Sequence, residues 1–217
     1  MFQVNNTVSA VNQMKNLPNV SFLGNERANV KILIVGNSIT RHAPKEEIGW
    51  PNDWGMAASA PENDYVHRLF AMLQQSGVDA YVRVRQGASW ETTYQNEDCL
   101  QTFQEDRDFD ADVVVFRLGE NVKKETISDF KPALHKLLDF LCKKDCKVIM
   151  TTCFWESAIR DDVIKQVAAE RGFLLADIHC TDEKQMAIGQ FAHQGVAAHP
   201  SDLGMQMIAQ RIFEKLQ

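Results

Sequence analysis

From residue 30 onward, short apolar runs alternate with stretches in which apolar residues recur every three or four positions, and this alternation restricts the chain to few folds. The first run, residues 30–35, is apolar except for Lys31, as expected of a strand covered on both faces of a parallel sheet. In residues 64–75, Val66, Leu69, Phe70 and Leu73 share one helical face, and Gly77 supplies a stop. Val78, Ala80, Val82 and Val84 then alternate as in a second strand. Residues 112–118 read as a third strand, followed by a helix over 127–141 that carries Leu134, Leu137, Leu138 and Leu141. A strand over 146–151, a helix over 158–171 ended by Gly172, a short strand over 173–176 and a helix over 201–216 complete the series. Five strands with helices between them need right-handed crossovers, so the expected fold is a three-layer α/β/α sandwich around a five-stranded parallel sheet.

With 217 residues, 45% of them hydrophobic, the chain is large enough for one core. Residues 30–217 are expected to form the domain, with residues 1–29 as an N-terminal extension. The net charge of −6 and the scattering of the 23 Lys and Arg oppose a nucleic-acid partner. No apolar run approaches the length of a membrane span, and residues 1–20 lack a basic start followed by an apolar stretch, so the default reading is a cytoplasmic protein that does not cross a membrane. The five cysteines include no C-x-x-C pair and suit reduced thiols. His179, Cys180 and His193 show no tetrahedral ligand spacing, and no metal is expected.

In such a sheet the ligand crevice lies beyond the C-terminal strand ends, and there the sequence carries chemistry. Gly36-Asn37-Ser38-Ile39-Thr40 follows the first strand; Ser38 either caps the next turn or directs its hydroxyl into the crevice as a nucleophile. Gly87 follows the second strand and Gly119-Glu120-Asn121 the third. A Ser38 N–H, a Gly87 N–H and the Asn121 amide converging on one point would form an oxyanion hole for acyl transfer. His199, in His-Pro-Ser-Asp before the closing helix, is placed to take the Ser38 proton and return it to a leaving group.

These four blocks resemble those of the SGNH (GDSL-like) hydrolases, named for a Ser, a Gly, an Asn and a His in separated blocks. Ser38 in Gly-Asn-Ser matches the first, Gly87 the second, Asn121 in Gly-Glu-Asn the third and His199 in His-Pro-Ser-Asp the fourth. The resemblance spans residues 30–216. It implies a flavodoxin-like sandwich, esterase or acylhydrolase activity without a cofactor, an acylated Ser38, and an oxyanion held by Ser38, Gly87 and Asn121. One position departs from it. Members of the family commonly carry an Asp three residues before the catalytic His, and here that residue is Val196. A backbone carbonyl near Val196 or Ala197, or a carboxylate from another loop, must then orient the imidazole. A Ser-His dyad is expected, with Glu156 as the best placed substitute acid and Asp182 and Glu120 behind it.

Residues 41–63 form a long stretch after the nucleophile and hold two of the four Trp. A loop of that length suggests substrate binding. Trp50, Trp54 and Trp90 are expected to stack on a sugar face, and Asn37, Arg41, His42 and Glu120 to add polar contacts; packing of these Trp onto the domain is the competing reading. The expected partner is a small-molecule ester, with an O-acetyl group on a carbohydrate preferred. Two other readings stand beside it: a flavodoxin-like module holding a flavin phosphate at residues 37–40, and a catalytically silent carbohydrate-binding relative.

Overall fold

The computed structural model describes residues 19–142 and 145–217, so residues 1–18 of the expected extension lie outside the described residues. The strands are β1 (Val20–Gly24), β2 (Val30–Gly36), β3 (Ala80–Gln86), β4 (Val113–Arg117), β5 (Lys147–Thr151) and β6 (Leu174–Ala176). The helices are α1 (Tyr65–Gln75), α2 (Trp90–Thr93), α3 (Gln104–Asp108), α4 (Ile127–Leu141), α5 (Ala158–Arg171), α6 (Gln194–Ala197) and α7 (Asp202–Leu216). The sheet order is β1-β3-β2-β4-β5-β6. All neighbours pair in parallel except β1 and β3, which are antiparallel. The α/β/α class therefore stands, with one correction: the sheet has six strands, the sixth contributed by residues 20–24 of the segment set apart as an extension. Phe22 secures this edge strand, stacking on Tyr81 at 5.3 Å while the Arg83 guanidinium lies 5.2 Å from its ring.

The two-residue period of β2 divides the core. Leu33 and Val35 face a cluster with Phe116, Phe130, Leu134 and Val167, under α4 and α5. Ile32 and Ile34 face the opposite cluster with Val66, Leu69, Ile208 and Ile212, under α1 and α7. Continuous apolar runs in the strands are thus explained by burial on both faces. Capping sets the helix limits: Asp64 accepts from His67 N–H at 2.8 Å to start α1, and Gly172 ends α5 in the left-handed region at φ 64°. Gly36 ends β2 in a turn too tight for any side chain, since a Cβ there would lie 1.8 Å from Thr40 Oγ1. That turn carries Ser38.

The stretch over residues 41–63 is a packed strap. His42 N–H donates to the Trp54 carbonyl at 2.9 Å, Met56 N–H to the Ser38 carbonyl at 2.9 Å, and Trp50 Nε1 to the His42 carbonyl at 3.0 Å. Trp50 is fully buried in a cluster with Met56, Ala57, Ala187 and Val196, and Trp54 meets it edge-on at 5.9 Å. Trp54 Nε1 donates to the Ala58 carbonyl, and Arg41 pairs with Asp53 through two bonds of 2.8 Å. Trp90 is buried among Tyr94, Phe116 and Phe130. Packing, not sugar stacking, therefore accounts for Trp50, Trp54 and Trp90, and Arg41 is engaged by its own loop; all four leave the set of expected substrate contacts. Trp50→Ala is expected to lower stability by about 3–5 kcal/mol through the cavity it leaves. Urea unfolding checks this; an unchanged midpoint would contradict the packing described.

Candidate active site

Ser38 and His199 lie 161 residues apart in sequence, and Ser38 Oγ is 2.8 Å from His199 Nε2. The sheet brings them together: Ser38 follows the C-terminal end of β2, and His199 precedes α7, whose first turn Ser201 caps by accepting from Gly204 N–H. On its other side, His199 Nδ1 lies 2.6 Å from the Gly195 carbonyl oxygen. A carbonyl only accepts, so Nδ1 carries the hydrogen and Nε2 keeps its lone pair toward the Ser38 hydroxyl. The short helix α6 supplies this carbonyl four residues before the histidine, where the sequence pointed to one near Val196 or Ala197. Trp155 packs edge-on against the imidazole at 5.2 Å and donates from Nε1 to the Ala198 carbonyl at 3.0 Å, holding the histidine's loop.

The place of the missing acid is filled by apolar packing, for Val196 is fully buried in the Trp50 cluster. Glu156 does not substitute: it is exposed, and the Gly195 carbonyl already takes the imidazole N–H. Asp182 caps a turn by accepting from Lys184 N–H, and Glu120 is bound to Arg117, so neither orients His199. Burial pushes the His199 imidazole down to about 4, with Arg117 and His42 adding to that effect and the Gly195 carbonyl opposing it. The resting histidine is therefore a neutral acceptor at physiological pH.

Around the serine, an open cavity of about 380 Å³ is lined by Ser38, His199, Asn121 and Ala88. Gly87, the expected oxyanion donor, gives its N–H to the Gly36 carbonyl at 2.7 Å, extending the β2–β3 ladder by one bond. Its small size serves packing, since a Cβ there would lie 3.3 Å from Val35 and 3.4 Å from Phe103. Ala88, one residue further, reaches the cavity instead. Among the described residues no acceptor bonds the Ser38 or Ala88 amide. The remaining wall is apolar at Ile48 and Met56 and polar at His42, Gln86, Thr92 and His193.

Beneath the cavity floor lies a buried polar network that sequence reasoning missed. Arg117, with no solvent exposure, donates from Nη1 to Glu120 Oε1 at 2.8 Å and from Nη2 to Asn37 Oδ1. Asn37 Nδ2 donates to Glu120 Oε2 at 2.7 Å and Phe154 N–H to Glu120 Oε1 at 3.1 Å. Asn37 and Glu120 thus hold the site from below, contrary to the expectation that they contact substrate. Glu91, fully buried, accepts from Asn121 Nδ2 at 2.6 Å, Asn121 N–H at 3.1 Å and Gly119 N–H at 2.6 Å. Burial pushes its carboxyl up to about 7, with Glu120 adding to the rise and the three donors opposing it. In the sequence the only trace of this group is an acid directly after Trp90 at a strand end.

The model of the GDSL-like lipase/acylhydrolase family matches residues 34–207. No curated protein matches the chain by sequence. Among solved structures, the family 3 carbohydrate esterase of Clostridium thermocellum is similar at a TM-score of 0.58 and 16% identity, covering 85% of this chain and 94% of that one. A family two carbohydrate esterase from Cellvibrio japonicus gives 0.54 at 14% identity over 88% and 63%. The psychrotrophic esterase EstA from Pseudoalteromonas sp. gives 0.51 at 13% identity over 87% and 97%. At these identities the structures share a fold, while the family match extends from β2 to α7 and takes in every strand-end loop of the site. The chain belongs to the GDSL-like lipase/acylhydrolase family.

Proposed function

We propose that this ester hydrolase removes a short acyl group, an O-acetyl group on a carbohydrate or similar neutral polyol, by way of a Ser38-His199 dyad oriented by the Gly195 carbonyl. The observation that carries the reading is the Ser38 Oγ, His199 Nε2 and Gly195 O relay, with bonds of 2.8 and 2.6 Å, opening on the cavity. Ser38 Oγ attacks the ester carbonyl as His199 Nε2 takes its proton. The tetrahedral oxyanion is met by the Ser38 and Ala88 N–H groups and the Asn121 amide. Collapse expels the alcohol, which receives the proton from His199, and water repeats the sequence on the acyl-enzyme. The imidazolium formed on the way faces a carbonyl dipole where a triad would present a carboxylate.

The substrate class rests on the cavity wall. Ile48 and Met56 suit a short acyl chain, while His42, Gln86, Thr92 and His193 offer hydrogen bonds to hydroxyls. Among the described residues, none lining the cavity is a carboxylate, lysine or arginine, in keeping with a neutral substrate. Two of the structural neighbours are described as carbohydrate esterases, which favours the same class. A flavin phosphate is disfavoured, because Ser38 is engaged by His199 and the Thr40 hydroxyl by Tyr65 OH at 2.7 Å.

Ser38→Ala is expected to abolish both fluorophosphonate labelling and acetate release from acetylated sugars; wild-type turnover by this variant would end the mechanism. A clear preference for long-chain p-nitrophenyl esters over acetylated sugars would end the substrate assignment alone. Glu156→Gln is expected to stay within about twofold of wild type, since losing a true triad acid costs about 10⁴ in kcat. By NMR, the resting His199 ring should titrate near pH 4, remaining neutral and able to accept a proton throughout the range above it. A midpoint near the ordinary value of about 6.5 would contradict the buried environment described.

A further inference from the structure

Glu91 is a fully buried carboxylate that is not among the residues lining the Ser38 cavity and has no part in the proton transfers above. Burying a carboxylate is costly unless donors surround it, and here they come from two other strand-end loops. Oε1 receives Gly119 N–H at 2.6 Å, Asn121 N–H at 3.1 Å and Asn37 Nδ2 at 3.4 Å, while Oε2 receives Asn121 Nδ2 at 2.6 Å. Glu91 itself stands in α2, directly after β3, so one side chain joins the loops that follow β2, β3 and β4.

We propose that Glu91 is a positioning residue for the hydrolytic reaction, fixing the Asn121 side chain with its nitrogen, not its oxygen, in the oxyanion-binding role. The inference rests on the reading of Asn121 as an oxyanion donor and adds what makes it one. An asparagine amide has two faces of similar shape and opposite polarity, so a half-turn about its last bond exchanges donor for acceptor. An ionised carboxylate offers only lone pairs, and therefore binds the Nδ2 face. One Nδ2 hydrogen is spent on Glu91, and the second is left for the cavity that Asn121 lines. The same carboxylate binds the Asn121 backbone N–H, so main chain and side chain of the donor are clamped by one group.

The chemistry demands a carboxylate specifically. Both Glu91 oxygens accept, so a glutamine in its place would oppose its own NH2 either to the Asn121 amide nitrogen or to the Gly119 and Asn121 backbone N–H groups. One orientation turns the Asn121 oxygen toward the oxyanion, and the other loosens the loop that carries it. Above neutral pH the carboxylate is ionised and only accepts, so the test belongs at pH 8.

There, Glu91→Gln is expected to lower kcat for a p-nitrophenyl acetate or acetylated-sugar assay by about 10²–10³, the scale of losing one oxyanion donor, with KM within about threefold. Asn121→Ala should show a loss of the same size, and the double variant should be no slower than Asn121→Ala alone. Rates are normalised to folded sites by fluorophosphonate titration, so a poorly folding variant still reports. Glu91→Asp, which keeps the charge and withdraws it by one methylene, should show the same fall in kcat at unchanged KM. If Asn121→Ala costs kcat while Glu91→Gln does not, or if the two losses multiply in the double variant, the positioning role is overturned. If Asn121→Ala leaves kcat unchanged, the reading of Asn121 as a donor fails instead.

Discussion

A guanidinium without any exposure to water ends the central strand β4, and the loops of the site are arranged to accommodate it. Left unpaired, such a charge would cost several kcal/mol, so its hydrogen bonds are obligatory. Arg117 meets this need with Glu120 three residues on and with the Asn37 side chain from the adjacent strand end. Asn37 is the residue before Ser38. The turn bearing Ser38 is thereby fixed by an ion-pair network beneath it as well as by its own backbone. Glu91 sits beside the same network, within reach of Asn37. Burial, reinforced by the negative charge of Glu120, explains why Glu91 holds its proton more tightly than an exposed glutamate.

The histidine side of the site follows a different economy. Where a carboxylate would receive the imidazole N–H, a peptide carbonyl does so, and the position of the acid is given to a valine in a hydrophobic cluster. A carbonyl fixes the tautomer as a carboxylate does, but offers a dipole in place of a full charge. That difference agrees with the low basicity of the resting ring. The carbonyl supplies the orientation that a triad acid would give, without its full charge.

Much of the fold was legible in the sequence because burial leaves a period. Two-sided burial wrote continuous apolar runs into β2, β4 and β5, and one-sided burial wrote spacings of three and four into α1, α4 and α7. Strand β1 escaped because five residues, only one of them buried, give too little pattern to separate from a loop. At the site, Ser38 and Asn121 stood out as polar residues after strands and His199 as one just before the closing helix, and the structure brings Ser38 and His199 within hydrogen-bond distance. Gly87 misled, because a glycine needed for packing looks in sequence like one needed for a donor. The tryptophans misled for a related reason: sequence records a large aromatic surface but not whether protein or ligand covers it. Gly195 was legible only as one of several backbone carbonyls near Val196, since its contribution is a carbonyl that every residue has.

The 161 residues between Ser38 and His199 also bear on how the molecule comes into being. A contact of that separation closes a long loop, and such non-local pairings carry an entropic cost that slows their formation. The strap reinforces the order of events, because Trp50 finds its cluster only when Ala187 and Val196 arrive from the far end of the chain. During synthesis, Ser38 stands without its imidazole partner until His199 has left the ribosome. A chain stopped before residue 199 entirely lacks the imidazole that faces Ser38, however complete its sheet.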